Sequence, residues 1–448
     1  MLKKILSYGL VEGIAKGLNK LIILVIPFFL IDVESFGKIG LIISIEIILP
    51  FLTLLGLERA VLRFYSKKNE IPDFRQTTIA SVSYAHLIIF LLFYFLYLIG
   101  FDGLFEITIY PDILLTIILV YFQGINLINL NIYRVSEKHK KYFKNRLFLQ
   151  ISKFILVILL IVLTDSYRGY LYGGIIAAFF TNLIFNVNFK IKFAVFNKKS
   201  FLYLFGFSWP FIVHGVSLNL LGNADKFIIA KFLNLNQVGL YTFAYSFASI
   251  IVFAFLGITV YIEPLIYKEQ DSEKREKFLN NFLILALLIG LGTMFVITAS
   301  KDYLLPVFYN QELSEGFYII PLLSSAFLLQ PFYLKANYKM IYEKKTLKIA
   351  IISVFCCLFN IILNFIFIPK YGVLAAVYLT FISNFLQYCI FVLLANKLKV
   401  KGDFIELVVL GICIWTVIYF RLNIYFISMP FAIYFIYFMK IKHKFKNE

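Results

Sequence analysis

Apolar residues in this chain gather in long, nearly unbroken runs, and polar residues in short segments between them. About 20 consecutive apolar residues make a helix long enough to cross a hydrocarbon core. The runs predict spans near 6–31, 37–57, 79–99, 112–132, 147–163, 169–189, 203–230, 238–262, 278–298, 316–334, 348–368, 371–395, 404–420 and 424–439. The first, fifth and seventh carry charges, which makes them unusual as spans.

The polar segments fix a direction. If the N-terminus lies inside and the spans alternate, the inner segments hold 33 Lys and Arg residues, the outer ones six, and four lie within spans. Short cytoplasmic loops are enriched in Lys and Arg because basic residues resist translocation. A shift of one span would scramble the alternation from that point on. The pattern therefore supports this span count and predicts that both termini are cytoplasmic. The basic stretches 134–146 and 335–348 are expected to form short interfacial helices beside anionic lipid.

The chain also repeats itself. Gly174-Ile175-Ile176-Ala177-Ala178 recurs 198 residues later as Gly372-Val373-Leu374-Ala375-Ala376, and Ile39-Gly40-Leu41 recurs 199 residues later as Val238-Gly239-Leu240. Tyr133-Arg134 with Glu137-Lys138 matches Tyr338-Lys339 with Glu343-Lys344 more loosely. Each repeat holds six spans and begins inside, so the halves are parallel repeats. The expected fold is all-α integral membrane, with about 14 transmembrane helices. It comprises two six-helix bundles, 1–196 and 197–397, around a central cavity, and an appended hairpin with a basic tail, 398–448.

Composition agrees with this picture and excludes others. The 448 residues are 61% hydrophobic and 15% charged, against roughly 45–50% and about 25% in soluble domains. The net charge of +18 would suggest nucleic acid in a soluble protein. Here no basic segment is long enough for a nucleic-acid domain. Cys356, Cys357, Cys389 and Cys413 lie in apolar runs without metal-type spacing, so they read as small packing residues. The charges Glu12, Lys16 and Lys20 interrupt the first apolar run, so it reads as a span and not a signal peptide. No phosphate-binding GxxxxGK[ST] loop is present, which argues against direct ATP drive. No cofactor is implied, and no outer segment is long enough for extracytoplasmic chemistry.

Intramembrane charges are costly and usually face a bundle interior or a wet cavity. Glu12, Lys16 and Lys20 are spaced by four and share one helix face. They read as a cationic wall for a phosphate or pyrophosphate. The alternative is that Glu12 neutralises Lys16 and both lysines snorkel to the inner surface. Gly9, Gly13 and Gly17 form an adjacent small-residue stripe, expected to pack against another helix.

The corresponding span of the second half holds His214, Asn219 and Asn223, with Asn219 at the repeat position of Lys20. Asp225 and Lys226 follow, either as an internal ion pair or as an ion-coupling group. His86 and His214 are proton-relay candidates, or hydrogen-bonded packing residues. Glu46 and Lys153 are single charges within spans and further cavity candidates. Arg59 and Arg63, four apart at the inner end of the second span, could receive a headgroup or serve topology alone.

Several stretches carry a family resemblance. Asn223-Ala224-Asp225-Lys226-Phe227-Ile228-Ile229, followed by Val238-Gly239-Leu240-Tyr241, resembles the signature of the polysaccharide biosynthesis flippases, with Lys226 where Arg is usual. Ile368-Pro369-Lys370-Tyr371-Gly372 with Ala375-Ala376 is similar to their I-P-x-Y-G-x-x-G-A-A segment, with Ala375 for Gly, and Leu49-Pro50 with Gly56 resembles their second span. These flippases belong to the multidrug/oligosaccharidyl-lipid/polysaccharide exporter superfamily. The resemblance implies two bundles around a cavity that opens to either side in turn. It also implies an undecaprenyl-diphosphate-linked oligosaccharide as cargo.

The function expected is translocation of O-antigen or capsule units across the inner membrane by a transporter, not an enzyme. Membrane lipids, a glycan polymerase and other assembly proteins are the expected partners, with no nucleic acid. Alternatives are a cation-coupled multidrug extruder, a lipid II flippase or an integral-membrane glycan polymerase. The fourteen-span count resembles that of lipid II flippases, while many O-unit flippases have twelve.

Overall fold

The computed structural model describes residues 2–29, 32–185, 196–255, 269–300, 311–343 and 345–397, with short pieces at 258–259, 266, 303, 403–408 and 410–411. Nearly all of this is helix. Ten helices among the described residues are long and apolar enough to cross a membrane. The charge-bearing α1 (Leu2–Val25) and the 18-residue α7 (Arg168–Phe185) fall outside that set. The all-α membrane architecture read from the apolar runs is thus present. The spans expected near 404–420 and 424–439 lie almost wholly outside the described residues.

The chain divides into two compact units, residues 14–239 and residues 1–13 with 240–448. The first contains most of α1, then α2 (Val33–Thr53), α3 (Leu57–Phe64), α4 (Phe74–Leu98), α5 (Leu114–Val135), α6 (His139–Thr164), α7 and α8 (Lys198–Phe232). The repeat boundary near 196/197 describes sequence correspondence; by packing, α8 joins the helices of the first repeat.

Local sequence explains the ends of these helices. Asp32 precedes α2, and its carboxylate accepts the Ser35 N–H, satisfying a donor that has no partner within the helix. At Gly56 the chain turns into α3 with φ +66°, a backbone that suits glycine. A Cβ there would lie 2.6 Å from the Ser208 carbonyl oxygen of α8, so the corner also needs the missing side chain. Leu54, Leu57, Val61, Phe74, Val82, Ile128 and Leu204 bury one another at this end of the unit.

The tightest helix pair is α6 with α7. A Cβ at Gly173 would lie 2.6 Å from the Val157 backbone nitrogen, and Gly169 touches the Ile161 backbone one turn away. Two glycines four apart let the backbones meet. In the stripe expected to pack, Gly9-Gly13-Gly17, the surroundings of Gly9 lie outside the described residues, and the other two behave differently. Among the described residues, a Cβ at Gly13 or Gly17 meets nothing within 4 Å. Spacing by four permits close packing, but only a partner backbone on that face uses it.

The basic stretches also differ from expectation. Residues 134–146 do not form a separate interfacial helix. α5 ends at Val135, and α6 starts at His139 and runs directly into its span. Lysine is a good helix former, so Lys140, Lys141 and Lys144 extend the helix beyond the apolar run. Residues 335–348 likewise divide between α12 (Gln330–Tyr342) and α13 (Thr346–Tyr371).

The second unit includes the rest of α9 (Leu235–Ala248), α10 (Ser272–Ala299), α11 (Ile320–Leu328), α12, α13 and α14 (Val373–Ala395). Gly372, with φ +67°, forms the corner between α13 and α14. Phe243, Phe247 and Phe317 cluster in its core, and Asn360 on α13 donates to Ser383 on α14 at 3.1 Å.

Gly173→Val should lower stability by about 1–3 kcal/mol through overpacking, while Gly13→Ala and Gly17→Ala should leave it unchanged. Thermal unfolding of the detergent-purified variants measures this. Equal effects at Gly13 and Gly173 would contradict the packing described.

Candidate functional site

Four helices of the first unit converge on Glu46 of α2. One carboxylate oxygen accepts from Lys153 Nζ of α6 at 2.7 Å and from Gln123 Nε2 of α5 at 2.7 Å. The other accepts the Tyr170 hydroxyl of α7 at 2.5 Å. Lys153 also lies over the Tyr170 ring, 5.1 Å from its centre. The lysine side chain is 3% exposed and the glutamate 11%. Gly174 makes room for this group: its absent Cβ would lie 3.7 Å from Lys153 Cε and 3.0 Å from Leu119. Thus the glycine of the repeated motif serves a buried ion pair in the first half and a backbone corner, Gly372, in the second.

A buried ion pair is tolerated only when close geometry and further hydrogen bonds offset the loss of water. All these conditions are met at Glu46. Lys153, a candidate for contact with cargo, therefore has an internal partner.

A second polar seam runs along α8. Asn219 donates to the Gly215 carbonyl at 2.8 Å, and Asn223 donates to that of Asn219 at 3.0 Å. Lys226 Nζ reaches Asn223 Oδ1 at 3.1 Å and Ser44 of α2 at 3.4 Å. The Asp225 carboxylate accepts the Lys226 backbone N–H at 2.9 Å, so this acid turns back on its own helix. Asp225 and Lys226 are both buried. Lys20 of α1 lies close enough to Lys226 for their charges to repel.

α1 buries Val11, Ala15 and Ile22 on one side. Gly13 and Lys16 are exposed on the other, and Lys20 is half-buried. The side chains of Glu12 and His214 lie outside the described residues. Arg59 and Arg63 are exposed on α3, Arg59 with its Nε 3.9 Å from Glu58. His86 is buried, with Nδ1 donating to the Val82 carbonyl at 2.8 Å and its ring against Tyr121. Among the described residues no group of three His, Cys, Asp or Glu side chains could hold a metal ion.

Two further clusters were not anticipated. Asp112, buried before α5, accepts from Arg168 Nε at 2.9 Å, from the Tyr167 hydroxyl at 2.8 Å and from Thr108 at 2.6 Å. Burial first, and then the Asp112 carboxylate, push the Tyr167 phenol up to about 12. In the second unit Lys335 is buried within α12, 2.7 Å from Asp403 and 3.7 Å from Glu276, and donates to Asn280. Lys339 pairs with Glu276 at 2.9 Å. The i,i+4 spacing of Lys335 with Lys339, and of Glu276 with Asn280, held a signal for this cluster.

Helical spans with polar residues held inside one helical unit define a multi-pass membrane protein. Over 99% of this chain and all of the other, the structure superposes on the inward-closed lipid II flippase MurJ with a TM-score of 0.71 at 17% identity. An inward-facing multidrug resistance MATE family transporter of the MOP superfamily matches with a TM-score of 0.67 at 14% identity, covering 89% of this chain and 95% of that one. A MatE model matches residues 210–366. The polysaccharide biosynthesis protein model matches residues 1–268, and the chain belongs to that family. The Haemophilus influenzae Lsg locus putative protein 1 is 25% identical over 152 residues, which are 34% of this chain and 38% of that protein.

Glu46→Gln should cost about 3–5 kcal/mol, because it leaves Lys153 buried and unpaired. Glu46→Gln with Lys153→Met should recover most of that stability. Melting of purified protein reads both, and an undiminished single variant would contradict the pair.

Proposed function

We propose that the protein carries lipid-linked oligosaccharide diphosphates, such as O-antigen or capsule units, from the cytoplasmic to the outer leaflet of the bacterial plasma membrane. The observation that carries this reading is cationic character within apolar helices. Lys16 is exposed on α1, Lys20 is half-buried on the same helix, and Lys226 is buried in α8. Ammonium groups carried within apolar helices favour an anion beside them. The polar seam Asn219–Asn223 offers hydrogen bonds for sugar hydroxyls.

The problem to be solved is passage of a polar, charged headgroup through about 30 Å of hydrocarbon. In this reading the headgroup travels through a hydrated cavity between two six-helix repeats, 1–196 and 197–397, while the prenyl chain stays in lipid. Rocking of the repeats changes the open side. Arg59 and Arg63 receive the diphosphate at the cytoplasmic end. Asp225 couples the cycle to an ion, and a glycan polymerase takes the unit on the far side. Family membership and the likeness to a lipid II flippase support this reading.

The MatE match favours a second reading, a cation-coupled drug extruder. Its cargo is cationic, which suits Lys16, Lys20 and Lys226 poorly.

Lys16→Ala with Lys20→Ala should abolish surface glycan in a complemented deletion strain, with lipid-linked units accumulating inside and protein abundance unchanged. Normal surface glycan would refute the cationic path. Changed drug susceptibility with intact glycan would favour the extruder. Reporter fusions at residues 140 and 397 should both report the cytoplasm; an external signal at either would overturn the orientation.

A further inference from the structure

The first unit contains a second cationic feature apart from α1 and α8. An open cavity of about 800 Å³ lies where the α3–α4 link, the end of α5, the start of α6 and the end of α7 meet. Six cations line it: Lys68, Arg75, Lys138, Lys140, Lys141 and Lys144. Asp73 is the single carboxylate in the lining.

None of the six has an ion-pair partner among the described residues. Neutral groups position two of them. Arg75, half-buried, donates to Oδ1 of the buried Asn129 at 3.2 Å. Lys68 donates to the Tyr65 hydroxyl at 3.2 Å and sits 4.3 Å from the centre of that ring. The start of α6 opens here too, with no acidic residue in its first turn, so its positive end adds to the lysines. Like charges collected around one hollow repel, and an anion relieves the repulsion. Ile132, Ile184 and Phe185 supply an apolar flank at the ends of α5 and α7. A free phosphate has no use for such a flank; a phosphate attached to an acyl or prenyl chain does.

We propose that this cavity is a binding site for a lipid-borne phosphate group, distinct from the Lys16 and Lys20 region. Arg75 on Asn129 forms the fixed donor at its base, and the lysines of the α5–α6 turn close over the phosphate oxygens. The site lies wholly within one compact unit. It therefore stands whether or not the translocation reading holds.

The test uses the full chain in neutral detergent, titrated with fluorescent short-chain phosphatidylglycerol, with a short polyprenyl diphosphate and with phosphatidylethanolamine as the zwitterionic comparator. Arg75→Gln with Lys138→Gln and Lys141→Gln should weaken binding of a phosphate-bearing lipid by about a hundredfold, since each cation near the headgroup contributes a comparable factor. Removal of three exposed cations elsewhere, Lys274→Gln with Lys277→Gln and Lys348→Gln, should change it by less than about threefold. Loss with phosphatidylglycerol identifies a membrane phospholipid as the source. Loss confined to the polyprenyl diphosphate identifies the prenyl carrier. Equal losses in the two triple variants would overturn the proposal, because net charge alone would then explain binding. So would wild-type affinity in the first variant, or tighter binding of a short RNA than of either lipid. An unchanged melting temperature in the first variant keeps these outcomes separate from misfolding.

Discussion

A charge inside an apolar helix must meet a partner, reach water or be neutralised. Nearly every polar feature of this protein follows from that constraint. Glu46 and Lys153 satisfy it by pairing, with Gln123 and Tyr170 completing the hydrogen bonds. Lys226 satisfies it by reaching Asn223 and Ser44. Lys16 satisfies it by exposure on the side of α1 opposite the packed face. One sequence feature, a basic residue within an apolar run, therefore has three physical outcomes. Only a lysine that keeps its charge available is suited to an anionic cargo.

The existence and approximate limits of the helices were legible, because apolar length is a local property. What neighbouring helices do to one another was not legible. Gly13-Gly17 and Gly169-Gly173 share the same spacing, yet among the described residues only the second pair meets another backbone. Glu46 and Lys153 were each recognised as intramembrane charges. Their pairing across 107 residues depends on which faces of α2 and α6 turn inward. The basic segment around Lys335 reads as a polar loop, whereas the helix carries Lys335 into a buried ion cluster.

The same limit applies to the basic cavity. Its residues come from four separate segments, and each alone reads as an ordinary orientation signal. Folding gathers them around one hollow and places neutral partners, Asn129 and Tyr65, against two of the cations. Orientation requires only that the charges lie on one side of the membrane. Their convergence and positioning exceed that requirement.

The central claim is that fixed positive charge within the helices selects a diphosphate-bearing lipid for transfer between leaflets. The most direct measurement uses purified protein in vesicles carrying a fluorescent prenyl diphosphate saccharide, or its uncharged prenyl glycoside, in both leaflets. A membrane-impermeant quencher then reports how fast the inner pool becomes accessible. Expected is rapid, protein-dependent quenching of the diphosphate lipid and slow quenching of the uncharged one. Equal rates for the two lipids, or a diphosphate pool that stays protected in the presence of folded protein, would contradict the claim.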